Sequence, residues 1–113
     1  MWRLLLLLLL LAACAKGPQA DLPSIGDARS LGSEWALVNQ QAEEGKLTPD
    51  YVDTMRKAFR QQLQTSASAL TQPDSAYGHE IAALLAQPPD AHPEELRAHA
   101  DKLKQIEDSL ESA

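Results

Sequence analysis

The side chains of this 113-residue chain that could do chemistry are few, and the first of them is Cys14. As the only cysteine, it cannot form a disulfide within the chain, so its thiol is available as a nucleophile. Cys14 follows Arg3, an unbroken leucine run at residues 4–11 and two alanines. A positive charge, an apolar stretch and small residues in this order are typical of an export signal. As a helix, residues 4–13 span about 15 Å, about half of a bilayer core, so they cannot remain as a membrane span.

The segment Leu11-Ala12-Ala13-Cys14 resembles the lipobox of bacterial lipoproteins, and the resemblance covers the first fourteen residues. It implies transfer of a diacylglyceryl group to the Cys14 thiol, cleavage between Ala13 and Cys14, and acylation of the new amino terminus. A single acyl chain binds a membrane only marginally, whereas two or three chains anchor a protein lastingly. The resemblance therefore predicts a covalent anchor in the cell envelope. The rest of the chain carries no further family resemblance.

The residue after the cysteine bears on the membrane that would hold the anchor. Ala15 is not the aspartate that commonly retains lipoproteins in the inner membrane, so the resemblance implies the outer membrane rather than the inner one. An ordinary secretory signal is the alternative, because Ala13-Cys14-Ala15 also fits a small-x-small cleavage pattern. That cleavage would release a soluble exported protein that begins at Lys16.

The three histidines do not predict a metal site. His99 falls in an apolar stripe, where an imidazole could titrate, and we expect it to be hydrogen-bonded at the edge of the core. His79 and His92 belong to different elements, and no histidine pair has metal-ligand spacing. The neighbours His79 and Glu80 would point about 100° apart on a helix, which favours a solvated surface over an acid-base pair.

A short basic cluster consists of Arg56, Lys57 and Arg60, which could contact anionic headgroups or an acidic partner. Asp53 lies three and four residues before the first two of them, so we expect a solvated, salt-bridged face. The hydroxyl-rich run at residues 65–69 has no histidine, lysine or carboxylate one turn from either serine. That run favours close helix packing over a nucleophile. The sequence therefore predicts no catalytic, cofactor or metal site.

The elements that must position these residues are helices. The sequence predicts a signal peptide at 1–13, a lipidated cysteine with a flexible tether at 14–26, and an all-α domain at 27–113, a small bundle of about four helices. The tether is predicted from Gly17, Pro18, Pro23 and Gly26, which interrupt any regular period. No segment alternates with period two for long enough to predict a strand.

Each predicted helix has its own start and stop signals. The first begins near Asp27 or Ser30 and ends at Gly45. The second begins at Thr48-Pro49, and because the connection is short, these two helices form an antiparallel hairpin. The third is capped by Asp74 or Ser75, and the fourth begins at Pro93 and either completes the bundle or pairs with a second copy. The apolar stripes are Leu31, Trp35, Val38 and Ala42; Val52, Met55, Phe59, Leu63 and Leu70; Tyr77, Ile81, Leu84 and Leu85; and Leu96, Leu103, Ile106 and Leu110.

Composition narrows the possible functions. Aromatic residues make up only 4% of the chain, so the core must be built mainly from aliphatic side chains. The formal net charge of -6 repels phosphate backbones, which makes nucleic acid an improbable partner.

The leading hypothesis is a non-enzymatic, membrane-anchored envelope lipoprotein. Its helical domain would bind another envelope protein in an assembly, stabilising or inhibitory role. A periplasmic carrier of a small apolar ligand is the second hypothesis, although a tightly packed core of this length leaves little room for a cavity. An envelope hydrolase is the third, and it would need a nucleophile-base or metal constellation that the sequence does not display.

Overall fold

The computed structural model describes residues 17–113, and its regular structure is entirely helical. A 3₁₀ helix, Pro18–Asp21, leads into four α-helices. These are α1 (Leu22–Glu43), α2 (Pro49–Ser68), α3 (Ala76–Leu85) and α4 (Pro93–Glu111). The predicted all-α bundle of about four helices is confirmed for this part of the chain. Cys14 lies outside the described residues.

Local signals define the ends of α1, α2 and α3. Gly45 follows α1 with φ at 70°, a left-handed conformation that glycine adopts without a Cβ clash. At the start of α2, the Thr48 hydroxyl accepts a hydrogen bond from the Tyr51 amide at 3.3 Å. Ser75 rather than Asp74 caps α3, accepting from the Gly78 amide at 3.1 Å. Side-chain acceptors satisfy amides that have no partner within the helix, which explains why these helices begin at these residues.

The predicted tether boundary at Gly26 is wrong, because the folded structure begins earlier. The 3₁₀ helix and the first turn of α1 occupy most of the predicted tether, and Ile25 and Ala28 are fully buried. Pro23 lies in the first turn of α1, where a missing amide proton costs nothing, so it does not break the helix. Gly26 lies where α4 passes closely, since a Cβ at this position would be 2.6 Å from a Glu107 carboxylate oxygen.

Helix α1 lies at the centre of the bundle. It packs along most of α4 and along α2, while α3 contacts α1, α2 and α4. The last helix thus completes the bundle, one of the two options that the sequence left open. The most deeply buried apolar side chains come from all four helices: Ile25, Trp35, Leu63, Ile81, Leu84, Leu96 and Leu103. Aliphatic side chains supply all of them except Trp35, as the composition predicts.

Candidate functional site

The basic cluster on α2 is only partly the salt-bridged face that the sequence predicts. Lys57 Nζ pairs with Asp53 Oδ2 at 3.0 Å, and both side chains are exposed. Arg56 does not pair with Asp53. Its Nε donates instead to Asn39 Oδ1 on α1, at 2.8 Å. Because Asn39 is almost fully buried, this bond directs the Arg56 guanidinium inward, toward the junction of α1 and α2.

The loop that joins α3 to α4 forms one wall beside the basic cluster. The Pro88-Pro89 pair of this loop has no amide protons. Backbone carbonyls of the loop accept hydrogen bonds from side chains of α1 and α2. The bonds run from Arg60 Nη2 to Gln87 O (3.1 Å), Trp35 Nε1 to Pro89 O (3.0 Å), and Asn39 Nδ2 to Pro89 O (3.1 Å) and Ala91 O (2.8 Å). Arg60 therefore contacts the loop directly, and Arg56 contacts it through Asn39.

Two adjoining depressions share Lys57 and Arg60. The first, which we call the Trp35 pocket, has a volume of about 160 Å³ and is lined by Trp35, Asp53, Arg56, Lys57, Arg60 and Pro89. The second, the α2 groove, has a volume of about 520 Å³ and is lined by Lys57, Arg60, Gln61, Gln64, Thr65 and Ser68. The α2 groove is open, and its lining supplies two cations together with amide and hydroxyl groups. Such a lining suits carboxylates and backbone amides of another protein.

His99 is hydrogen-bonded at the edge of the core, as predicted. Its Nδ1 contacts a carboxylate oxygen of Glu80 on α3, and its Nε2 lies 3.3 Å from Nε2 of Gln87. The side chains of His99 and Glu80 are 20% and 16% exposed. The prediction of a solvated surface at His79 and Glu80 is therefore wrong for Glu80, which turns inward to His99, while His79 remains exposed. No local pattern links α3 to α4 here, so this contact could not be read from spacing.

The other sequence candidates among the described residues are His92 and the hydroxyl-rich run at residues 65–69. Within residues 17–113, no three side chains of metal-binding type come together. His92 precedes α4 but makes no side-chain cap bond. In the hydroxyl-rich run, Ser66 is buried, and the Thr65 hydroxyl donates to the backbone oxygen of Gln61 at 3.2 Å. This geometry fits the packing role that the sequence predicts for the run.

Sequence reasoning missed a buried polar cluster around Asp21. Its side chain is almost fully buried and accepts four hydrogen bonds from the connection between α2 and α3 and from α3 itself. The donors are Thr71 N (2.8 Å), Thr71 Oγ1 (3.0 Å), Gln72 N (3.2 Å) and Tyr77 Oη (2.6 Å). The Asp-Leu-Pro sequence at residues 21–23 is a helix-start signal that could have placed Asp21 at the start of α1. No comparable signal in the sequence indicates that Thr71, Gln72 and Tyr77 donate to Asp21.

The cluster shifts the pKa values of both ionisable partners. Burial raises the pKa of the Asp21 carboxyl, but the hydrogen bonds from Tyr77, Thr71 and Gln72 outweigh burial and bring this pKa below its ordinary value. The pKa of the Tyr77 hydroxyl is raised by burial first and then by its hydrogen bond to Asp21. Asp21 is thus ionised at neutral pH and fastens the start of the fold to the α2–α3 connection.

None of the helices within residues 17–113 has the length and apolar character needed to cross a bilayer. Comparison of the whole chain with protein-family models, with curated proteins and with solved structures gives no match. The functional argument therefore depends on this chain's own residues.

Proposed function

We propose that this protein is a membrane-anchored lipoprotein of the bacterial envelope, in the outer membrane, and that its helical domain binds another envelope protein. The observation that carries the proposal is the leucine run that ends in Leu11-Ala12-Ala13-Cys14. In this scheme the Cys14 thiol receives the diacylglyceryl group and becomes the new amino terminus after cleavage. The acyl chains then hold the domain at the membrane.

The binding role is supported by the surface of the domain. The residues that line the Trp35 pocket and the α2 groove are mostly charged or polar, and the surface they expose combines carbon stems with cationic, amide and hydroxyl ends. Such a mixed surface is typical of sites that bind another protein. His99 is oriented by Glu80, but its other described contact is Gln87 rather than a hydroxyl or thiol. These observations favour a non-enzymatic assembly, stabilising or inhibitory role over a carrier or a hydrolase.

The anchor is tested by the intact mass of membrane-extracted protein, with Cys14→Ser as the comparison. The expected mass is that of a chain that begins at acylated Cys14, and this species should be absent from the variant. An unmodified chain that begins at Lys16 would contradict the anchor and indicate a soluble exported protein.

Partner binding is tested in cells by placing a photo-crosslinking amino acid at one exposed position on each of the four helices. The expected result is a product of one discrete mass from at least one helix, with the partner identified from its peptides. Monomer alone from every position, in cells where the protein is correctly acylated, would contradict the binding role.

A further inference from the structure

The charge on α2 differs from the charge of the rest of the chain. The sequence contains 16 acidic and 10 basic residues, yet residues 54–73 include no acidic residue and three basic ones. This stretch covers most of α2 and the connection that follows it. Asp53 pairs with Lys57 at the border of this stretch, and the stretch itself is a positively charged segment on an acidic protein. A local positive charge of this kind attracts an acidic partner.

The same helix has an outward side that the bundle leaves uncovered. Among the described residues, α2 packs against α1 and α3, and its backbone does not approach that of α4 closely. Its buried side chains, such as Val52, Phe59 and Leu63, lie on the inward face. The residues that line the α2 groove are all exposed. A partner therefore reaches the α2 groove without any rearrangement of the fold.

The cations of the groove are placed to bind carboxylates. The Lys57 side chain is 78% exposed, and its only described partner is Asp53, whose side chain is 66% exposed. Because such an exposed ion pair is weak, Lys57 can leave Asp53 and bind a carboxylate of the partner. Arg60 donates from one guanidinium nitrogen to the Gln87 carbonyl, and this exposed bond restricts the side chain while its other donors face the groove's solvent side. A preorganised guanidinium loses less conformational entropy when it binds a carboxylate.

Arg56 marks the border of this surface. Its guanidinium is directed toward Asn39 and also lines a separate depression that contains Glu43 and Asp90. The α2 groove therefore extends from its two cations, Lys57 and Arg60, along neutral residues toward Ser68, and away from the α1–α2 connection.

We propose that the α2 groove is the docking surface for an acidic segment of the envelope partner, bound through Lys57 and Arg60. This inference rests on the proposed binding role and adds the surface and the chemistry of the partner. A membrane headgroup is the weaker candidate. The α2 end nearest the start of the fold is its carboxyl end, because Asp21 bonds to Thr71 just beyond it. Arg60 lies about 12 Å back along the helix from Ser68, the last residue of α2. That separation exceeds the Debye length of about 8 Å at physiological salt.

The test uses the full-length, acylated protein in neutral detergent and a fluorescently labelled peptide of repeated Glu-Ala units. Anisotropy at low salt should show binding that weakens as salt is added. Lys57→Glu combined with Arg60→Gln should weaken binding at least about tenfold. Lys57→Glu alone should weaken it by a smaller factor, and because Lys57 is exposed, this variant keeps the fold.

The matched control is Lys104→Glu on α4. Lys104 pairs with Asp108 at 3.0 Å, four residues away, with side-chain exposures of 59% and 56%, so the change in charge and the lost ion pair are equivalent. Binding by this variant should stay within about twofold of the wild type. Equal losses in Lys57→Glu and Lys104→Glu would show a general charge effect and overturn the assignment.

Two further outcomes would also overturn it. The first is binding of glycerophosphoglycerol, the soluble headgroup of phosphatidylglycerol, without binding of the peptide, which would assign the face to lipid. The second comes from crosslinking in cells at Gln64 in the groove and at Gln105, an exposed glutamine on α4. A partner product from Gln105 and none from Gln64 would leave the binding role intact and remove the docking surface from α2.

Discussion

Asp21 has four hydrogen-bond donors, and its closest contact, the Tyr77 hydroxyl at 2.6 Å, lies 56 residues away in the sequence. A buried carboxylate without such donors would be strongly unfavourable, and with them it fastens distant parts of the chain together. These hydrogen bonds hold the residues before α1 against the rest of the bundle. A small bundle buries little apolar surface, so such a polar contact contributes a larger share of its stability.

We expect Asp21→Ala to destabilise the domain by about 2–3 kcal/mol, because it leaves the Thr71 amide and the Tyr77 hydroxyl without their acceptor. Urea denaturation followed by circular dichroism measures the free energy of unfolding. Asp27→Ala is the control, since Asp27 is exposed on the first turns of α1, and its effect should stay within about 0.5 kcal/mol. Equal losses in the two variants would contradict a special role for Asp21.

The same carboxylate predicts a dependence of stability on pH. The pKa of Asp21 is lowered in the folded state, so its contribution is fully present above the unfolded value of about 3.9 and is lost as the pH falls through the folded pKa. The difference in unfolding free energy between the wild type and Asp21→Asn should therefore shrink as the pH falls below about 4. Chemical denaturation of both proteins from pH 7 to pH 2 measures it, and a constant difference would contradict the prediction.

Contacts of this kind show why only part of the candidate site could be predicted. The pairing of Lys57 with Asp53 follows from a spacing of four residues and was predicted. The bonds from Arg56 to Asn39 and from His99 to Glu80 join different helices and depend on how those helices pack. Helical periodicity indicates which face is buried, but it carries no information on which polar side chains meet across the bundle.

At the scale of the elements, most of the fold follows from short-range chemistry. Thr48-Pro49, Ser75 and Gly45 each act on the amides or carbonyls of one helix end, so their neighbours in sequence are sufficient to predict them. Local sequence places the start of α1 too late, because Pro23 and Gly26 are residues that usually interrupt a helix. Their tolerance depends on the helix register and on the approach of Glu107 from α4, which local sequence does not contain.

The cap at the start of α2 provides a test at this scale. Thr48→Ala should cost about 1 kcal/mol of unfolding free energy, because the Tyr51 amide loses its acceptor. Thermal or urea unfolding measures the change. Thr54→Ala, at an exposed position within α2, should have no effect or stabilise slightly, since alanine is the stronger helix former. A cap variant as stable as the wild type would indicate that water replaces the threonine.

At the scale of the whole molecule, the connections of the helices define the two ends of the bundle. The amino-terminal end of α1 lies with the carboxyl ends of α2 and α4, as the bond between Asp21 and Thr71 and the ion pair between Arg29 and Glu107 show. The connection between α1 and α2 lies at the opposite end. If Cys14 is the proposed anchor, the first of these ends faces the membrane.

This orientation predicts different depths for two exposed residues. A fluorophore on Ser112→Cys, just beyond α4, should be quenched by nitroxide headgroup lipids more strongly than one on Lys46→Cys, in the α1–α2 connection. The α1 helix separates these ends by about 33 Å, and acylation of Cys14 leaves the new thiol as the only one to label. Equal quenching of the acylated protein at both positions would show that the bundle lies on its side.

The early start of the fold at Pro18 also limits the distance between the folded domain and Cys14. Only three residues separate Pro18 from Cys14, and because each chain step spans at most about 3.6 Å, Pro18 lies no more than about 15 Å from Cys14. If Cys14 is acylated as proposed, this short distance keeps the bundle within one domain length of the membrane leaflet that holds the acyl chains. The anchored protein would then encounter its partners by lateral diffusion in the membrane. It would not bind a protein that stays away from the membrane surface.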